Sequence, residues 1–167
     1  DDLKIRIFPA IRLILMLAIL VFCINIFSIQ ITNSGLEFLN LWLENNIFQV
    51  FFVLLCFLFI INGANLIDGY NGLLAIHFLI INFILLGINF TNQHYDMVLI
   101  LTFQIIIMSS FLLFNFPRAR IFLGDAGSYL CGSLIAINII KTHQLNPQTS
   151  SFFYTSILFY LFYEVFF

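Results

Sequence analysis

Residues 47–73 read Ile47-Phe-Gln-Val-Phe-Phe-Val-Leu-Leu-Cys-Phe-Leu-Phe-Ile-Ile-Asn62-Gly-Ala-Asn65-Leu-Ile-Asp68-Gly69-Tyr70-Asn71-Gly72-Leu73. A continuous apolar run gives way to a polar knot, and a second apolar run starts at Leu73. Runs of this kind are too long and too unbroken for strands and suit helices that cross a bilayer. The pattern returns around a second knot, Asn115-Phe-Pro117-Arg118-Ala-Arg120-Ile-Phe122-Leu-Gly124-Asp125-Ala-Gly127-Ser128. Carboxylates are costly near hydrocarbon, so acids placed among glycines between apolar runs mark a candidate site. A third acidic group, Asp1-Asp2, opens the chain.

Composition supports the same class. The chain is 62% hydrophobic and 8% charged, with 23 Phe among 167 residues. A water-facing surface needs about 25% charged residues, so a soluble domain is excluded. Continuous rather than alternating runs disfavour a β-barrel. The expected fold is all-α, a single polytopic transmembrane helix bundle over residues 1–167. Six spans are expected: Phe8–Ile29, Ile47–Asn65, Leu73–Phe90, Met97–Phe114, Ala126–Ile140 and Phe152–Phe167. A net charge of −2 argues for neither nucleic acid nor acidic partners. Cys23, Cys56 and Cys131 each stand alone in an apolar run, as small buried residues do. The chain opens without Met and stops inside an apolar run, so it is read as part of a longer protein.

Alternating spans put Asp1-Asp2, the Asp68 knot, the Asp125 knot and Glu164 at one membrane face. Residues 30–46, 90–96 and 141–151 fall at the other. Lys4, Arg6, Arg12, Arg118 and Arg120 share the knot side and Lys141 lies opposite, which makes the knot side cytoplasmic. Glu37, Glu44 and Asp96 read as solvated interfacial charges, with Trp42 as an interface anchor.

In the first knot, Asn62, Asn65 and Asp68 recur every three residues and share one helix face. They could offer amide and carboxylate groups to one polar ligand, and the next helix N-terminus could receive a phosphate. The same residues also make a plain Asp-Gly/Asn-Gly turn, and spacing does not separate the two readings. In the second knot Asp125 is either a hard oxygen ligand for Mg²⁺ or an N-capping acid beside snorkelling arginines. Ser128, Gly132 and Ala136 form a small-residue stripe suited to helix packing. His77 reads as a packing residue, and no histidine metal site is visible.

Two of these strings resemble the signatures of one family. They are Asn62-x-x-Asn65-x-x-Asp68-Gly69-x-x-Gly72-Leu73 and Phe122-Leu-Gly124-Asp125-x-Gly127-Ser128-x-x-x-Gly132. The family is the polyprenyl-phosphate N-acetylhexosamine-1-phosphate transferases, the glycosyltransferase 4 family. Asp1-Asp2 resembles its paired-aspartate motif, with Arg12 as the basic residue that follows. The resemblance covers essentially the whole chain. It implies transfer of a sugar-1-phosphate from a UDP-N-acetylhexosamine to undecaprenyl phosphate, with release of UMP, at the cytoplasmic face of the bacterial inner membrane. It implies Mg²⁺, with Mn²⁺ as a substitute, held by Asp125. Asp1 is the implied base, with Asp2 beside it and Asp68 in the catalytic set. Asn62, Asn65, Gly69, Tyr70, Asn71, Phe122, Arg12 and Arg118 are the implied substrate contacts, Phe122 stacking on uracil. A homodimer is compatible with the resemblance.

Asn71 stands where many members have a second Asp, the muramoyl-pentapeptide enzymes among them. That favours the branch using GlcNAc-1-phosphate to initiate cell-envelope polysaccharide or lipopolysaccharide synthesis. Transfer of MurNAc-pentapeptide-1-phosphate in peptidoglycan synthesis is the alternative. The His-rich loop after the last span and the spans before Asp1 are not in this sequence, so it is not expected to act alone.

Other membrane chemistries fit less well. An intramembrane aspartyl protease needs GxGD, and Phe122-Leu-Gly124-Asp125 lacks the first Gly. A CDP-alcohol phosphotransferase needs Asp-Gly-x-x-Ala-Arg, and Asp68 is followed by Gly69-Tyr-Asn-Gly-Leu. A transporter would hold its acids near the midplane rather than at one face. An inactive homologue is the remaining alternative.

Overall fold

The computed structural model describes residues 9–166, with backbone alone for Pro9, Ala10, Arg12 and Leu13. The described residues form helices and connecting turns. The helices are α1 (Pro9–Ile26), α2 (Glu37–Leu43), α3 (Asn46–Ile67), α4 (Leu73–Thr91), α5 (Tyr95–Asn115), α6 (Gly124–Leu145), α7 (Ser151–Ile157) and α8 (Phe159–Phe166). Three of them, α3, α4 and α5, are long and apolar enough to cross a membrane. The fold is an all-α membrane bundle.

The inner elements are α3 and α6. At 22 residues α6 is as long as α3, yet it carries Ser128, Asn138, Thr142 and His143 buried. Side chains of other helices hydrogen-bond these polar groups, while lipid-type surface such as Phe83, Phe103, Ile107 and Leu113 faces outward. Between helices in lipid, apolarity alone gives no driving force, so close packing and hydrogen bonds must hold the bundle. The small-residue stripe supplies the first. A Cβ on Gly132 would lie 2.7 Å from Ile61 Cα and 3.0 Å from Ala64 Cβ, so α3 and α6 touch backbone to backbone there. Gly63 makes the matching approach on another side of α3, against the carbonyl oxygen of Leu161 in α8.

Two details depart from the expected spans. The single span over 152–167 is two helices separated at Leu158, whose N–H bonds back to Thr155 O at 3.1 Å. That tight i to i−3 turn lets α8 settle on Gly63. The outer segment 30–46 also contains the short helix α2, preceded by a turn in which Asn40 Oδ1 accepts from Ser34 N and Ser34 Oγ. Asn45 then caps α3, its Oδ1 accepting from Ile47 N and Phe48 N.

The far end is knitted by side chains. Gln144 donates to Ser28 O and Gln30 O, Ser151 Oγ to Asn33 O, and Asn89 to Thr142 Oγ1. Residues near 30, 90 and 141–151 therefore meet at one end, as span alternation requires. Cys23, Cys56 and Cys131 are free.

Candidate active site

The two polar knots lie together at the other end of the bundle. Asp68 is the residue at which α3 ends, and Gly72 opens α4 with φ 77°, a left-handed conformation that favours glycine. A Cβ at Gly72 would also meet Phe116 Cδ2 at 3.0 Å and Leu112 Cδ1 at 3.2 Å, so the first knot is pressed onto the second.

Three side-chain amides join the knots. Asn65 Nδ2 donates to Ser128 Oγ at 2.8 Å, and Ser128 Oγ donates to Asp125 O at 3.1 Å. Asn71 Nδ2 donates to Pro117 O at 3.4 Å. Asn115, buried at the end of α5, accepts from Gly72 N and donates to Ile121 O. One amide thus satisfies a backbone donor of the first knot and a backbone acceptor of the second.

The electrostatics follow from this clamp. Asp68 is half-buried at a helix C-terminus, the end whose partial negative charge opposes a carboxylate. Burial first, and the charge of Asp125 second, push the Asp68 carboxyl above the usual carboxylate range. The two acids therefore feel each other across the clamp. Asp125 sits in the first turn of α6, a favourable place for an anion. It lies inside that turn rather than at the N-cap position, which is Leu123.

The remaining candidate contacts divide by what they touch. Tyr70 and Phe122 are each 74% exposed, so neither is needed in the core and both rings stand open at the knot end. Gly69 and Arg118 are exposed there too. Asn62 is exposed and donates to Leu58 O of its own helix at 2.7 Å. Asp1, Asp2 and the Arg12 side chain lie outside the described residues. His77 stacks on Tyr160, centroids 4.6 Å apart, as a packing residue does. Among the described residues no group of three His, Cys, Asp or Glu side chains converges as a metal cage. Asp68 and Asp125 are the carboxylates at this end that could hold Mg²⁺, which commonly takes one or two carboxylates and fills its shell with water and phosphate. A separate cavity of about 140 Å³ opens at the far end, lined by Asn33, His143, Ser151 and Tyr154 among others, and includes no knot residue.

In the sequence Asn115 stands at the head of the second knot with no role assigned to it, and Asn82, Gln104 and Asn138, which bond to one another inside the bundle, are not singled out. Each is an amide inside an apolar run, and the expense of such groups in lipid is the signal that points to them.

Comparison with known proteins gives a consistent picture. The family model for glycosyl transferase family 4 matches residues 1–143. A phospho-N-acetylmuramoyl-pentapeptide-transferase of Streptococcus agalactiae is 33% identical over 122 residues, covering 71% of this chain and 36% of the relative. The protein of the same name from Streptococcus pyogenes serotype M6 is 31% identical over the same coverage. The chain thus spans about a third of the length of these curated relatives, 36%. No solved structure matches.

Proposed function

The chain belongs to glycosyl transferase family 4, and from that premise we propose that the protein containing it moves a sugar-1-phosphate from a UDP-sugar to undecaprenyl phosphate and releases UMP. The observation that carries the reading is the Asn65–Ser128 and Asn115 clamp, which brings Asp68 and Asp125 to one end of the bundle. In this reading a lipid phosphate oxygen becomes bonded to the β-phosphorus of the donor, and the bond from that phosphorus to UMP breaks.

Asp125 and Asp68 would hold Mg²⁺, with Mn²⁺ as a substitute, and the bound ion would offset charge on the diphosphate. Asp1 would take the proton of the lipid phosphate, its basicity raised by Asp2 beside it. Tyr70 and Phe122 would present their open rings to the uracil, and Arg118 a cation to phosphate. Asn65 would set the distance between the knots as well as line the site. Arg118 and Arg120 beside the knots favour a cytoplasmic site in a bacterial plasma membrane.

For the sugar, the relatives favour MurNAc-pentapeptide, since that is the group their names carry. Asn71 had favoured GlcNAc, but its side chain reaches Pro117 O, so its identity bears on the contact between knots as much as on the donor. The GlcNAc reading therefore stands second.

The test is exchange of radiolabelled UMP into the donor by the full-length protein in detergent. UDP-MurNAc-pentapeptide should support exchange and UDP-GlcNAc should not; the reverse would restore the second reading. Asp125→Asn should abolish Mg²⁺-dependent UMP release, and undiminished release would refute the site.

A further inference from the structure

Three amides meet in the interior of the bundle, away from both knots. Asn82 of α4 and Asn138 of α6 are 0% and 2% exposed, and Gln104 of α5 is half-buried. Asn138 Nδ2 donates to Asn82 Oδ1 at 2.9 Å and to Gln104 Oε1 at 2.6 Å. Asn82 Nδ2 donates to Gln104 Oε1 at 3.3 Å, and Gln104 Nε2 to Asn138 Oδ1 at 3.4 Å. Each side chain is bonded to both others, so the ring closes across three helices.

Those three helices carry the edges of the knots. The first knot ends where α4 begins, and the second runs from the end of α5 to the start of α6. At about 1.5 Å per residue, Gly72, Asn115 and Asp125 lie roughly 15–20 Å along their helices from the ring. Apolar side chains in lipid tolerate small axial slides, because one methyl contact replaces another. Amide pairs do not: a slide of one residue, about 1.5 Å, carries a hydrogen bond beyond its range. The ring is therefore a register lock placed on the helices whose ends must agree.

We propose that Asn82, Gln104 and Asn138 are positioning residues, which fix the axial register of α4, α5 and α6 and through it the separation of the Asp68 and Asp125 knots. The kinetic part rests on the transferase reading above. The geometric part does not, and the two are measured separately.

The geometric arm uses the full-length protein with Cys23, Cys56 and Cys131 replaced by Ala. Spin labels go on Ile76→Cys and Leu130→Cys, at sites 36% and 60% exposed, on α4 beside the first knot and on α6 beside the second. Pulsed dipolar spectroscopy should give a narrow distance distribution. The triple variant Asn82→Leu/Gln104→Leu/Asn138→Leu removes the ring without leaving an unpaired amide, and it should broaden or shift that distribution. The exchanged pair Asn82→Gln/Gln104→Asn keeps all three amides and should restore the narrow one. In the kinetic arm, without labels, the triple variant should lose about tenfold to a hundredfold in kcat, with the donor KM changed by less than about threefold.

An unchanged distribution in the triple variant overturns the proposal, as does kcat lost with distances intact. If the triple variant does not fold, Asn138→Leu alone must broaden the distribution, and an unaltered width there overturns the proposal equally. Absence of exchange in the unsubstituted protein would refute the transferase reading and leave the distance measurement to decide the positioning role.

Discussion

Gly132→Ala should prise α3 from α6 and loosen the site four residues away. The added Cβ would lie 2.7 Å from Ile61 Cα, 3.0 Å from Ala64 Cβ and 3.2 Å from Ile60 O. The first and last of these are backbone atoms that cannot rotate aside. Restoring ordinary carbon–carbon contact, about 3.5–4.0 Å, requires the helices to separate by roughly 1 Å. One turn toward the knots, the Asn65–Ser128 bond of 2.8 Å would then stretch beyond hydrogen-bonding range. Overpacking costs about 1–3 kcal/mol and the lost bond about 1 kcal/mol more. A misplacement of about 1 Å at reacting groups can cost about a hundredfold in rate. Gly87→Ala is the control, because a Cβ there meets nothing within 4 Å. The assay is thermal unfolding in detergent with UMP exchange, run on both variants of the full-length protein. Gly87→Ala should match the unsubstituted protein or exceed it slightly, while Gly132→Ala falls in both readouts. A Gly132→Ala protein that melts and turns over like Gly87→Ala would refute the backbone contact and the coupling drawn from it.

Asn115→Leu should leave Gly72 N and Ile121 O without their partner, at about 1–3 kcal/mol for each group that stays buried. Amide exchange at Gly72, followed by mass spectrometry, should accelerate, and unchanged protection would refute the clamp. Because burial and the Asp125 charge raise the Asp68 pKa, folding binds that proton more tightly than the unfolded chain does. Its stabilisation is full below the ordinary Asp range and is lost as pH rises through the raised value. The thermal midpoint should therefore decline across that window, and an equal decline in Asp68→Asn would contradict the assignment. Mg²⁺ at neutral pH should raise the midpoint by relieving the repulsion between the two acids. Asp125→Asn should lose most of that increment; if it keeps all of it, the ion binds elsewhere.

Why some features were legible and others hidden is a matter of range. The cores of α3, α4 and α5 follow from unbroken apolar runs, a local property, and the gathering of the Asp68 and Asp125 knots follows from counting spans. The break at Leu158 does not. Residues 152–163 show no Gly or Pro, and the turn there is matched by Gly63, far back in the chain, against which α8 lies. Asn115 was hidden for the same reason. Beside Phe116-Pro117 it reads as a turn residue, and its role appears only through Gly72, 43 residues earlier. Asp68 and Asp125 were found because a carboxylate near lipid is expensive wherever it sits. Asn82, Gln104 and Asn138 carry a milder version of that signal, and each alone looks incidental.

The amide ring also has a consequence for how the chain enters the membrane. Asn82 and Gln104 lie on consecutive helices and already share one hydrogen bond, so the α4–α5 hairpin can enter lipid with its amides partly paired. The polar α6 is synthesised next, and it is not among the helices apolar enough to cross alone. It meets a hairpin with an open acceptor in Asn82 Oδ1 and brings the two-donor amide of Asn138 to it. The α4–α5 pair can thus receive the amide of α6, and the order of the helices along the chain is an order in which their polar groups can be satisfied.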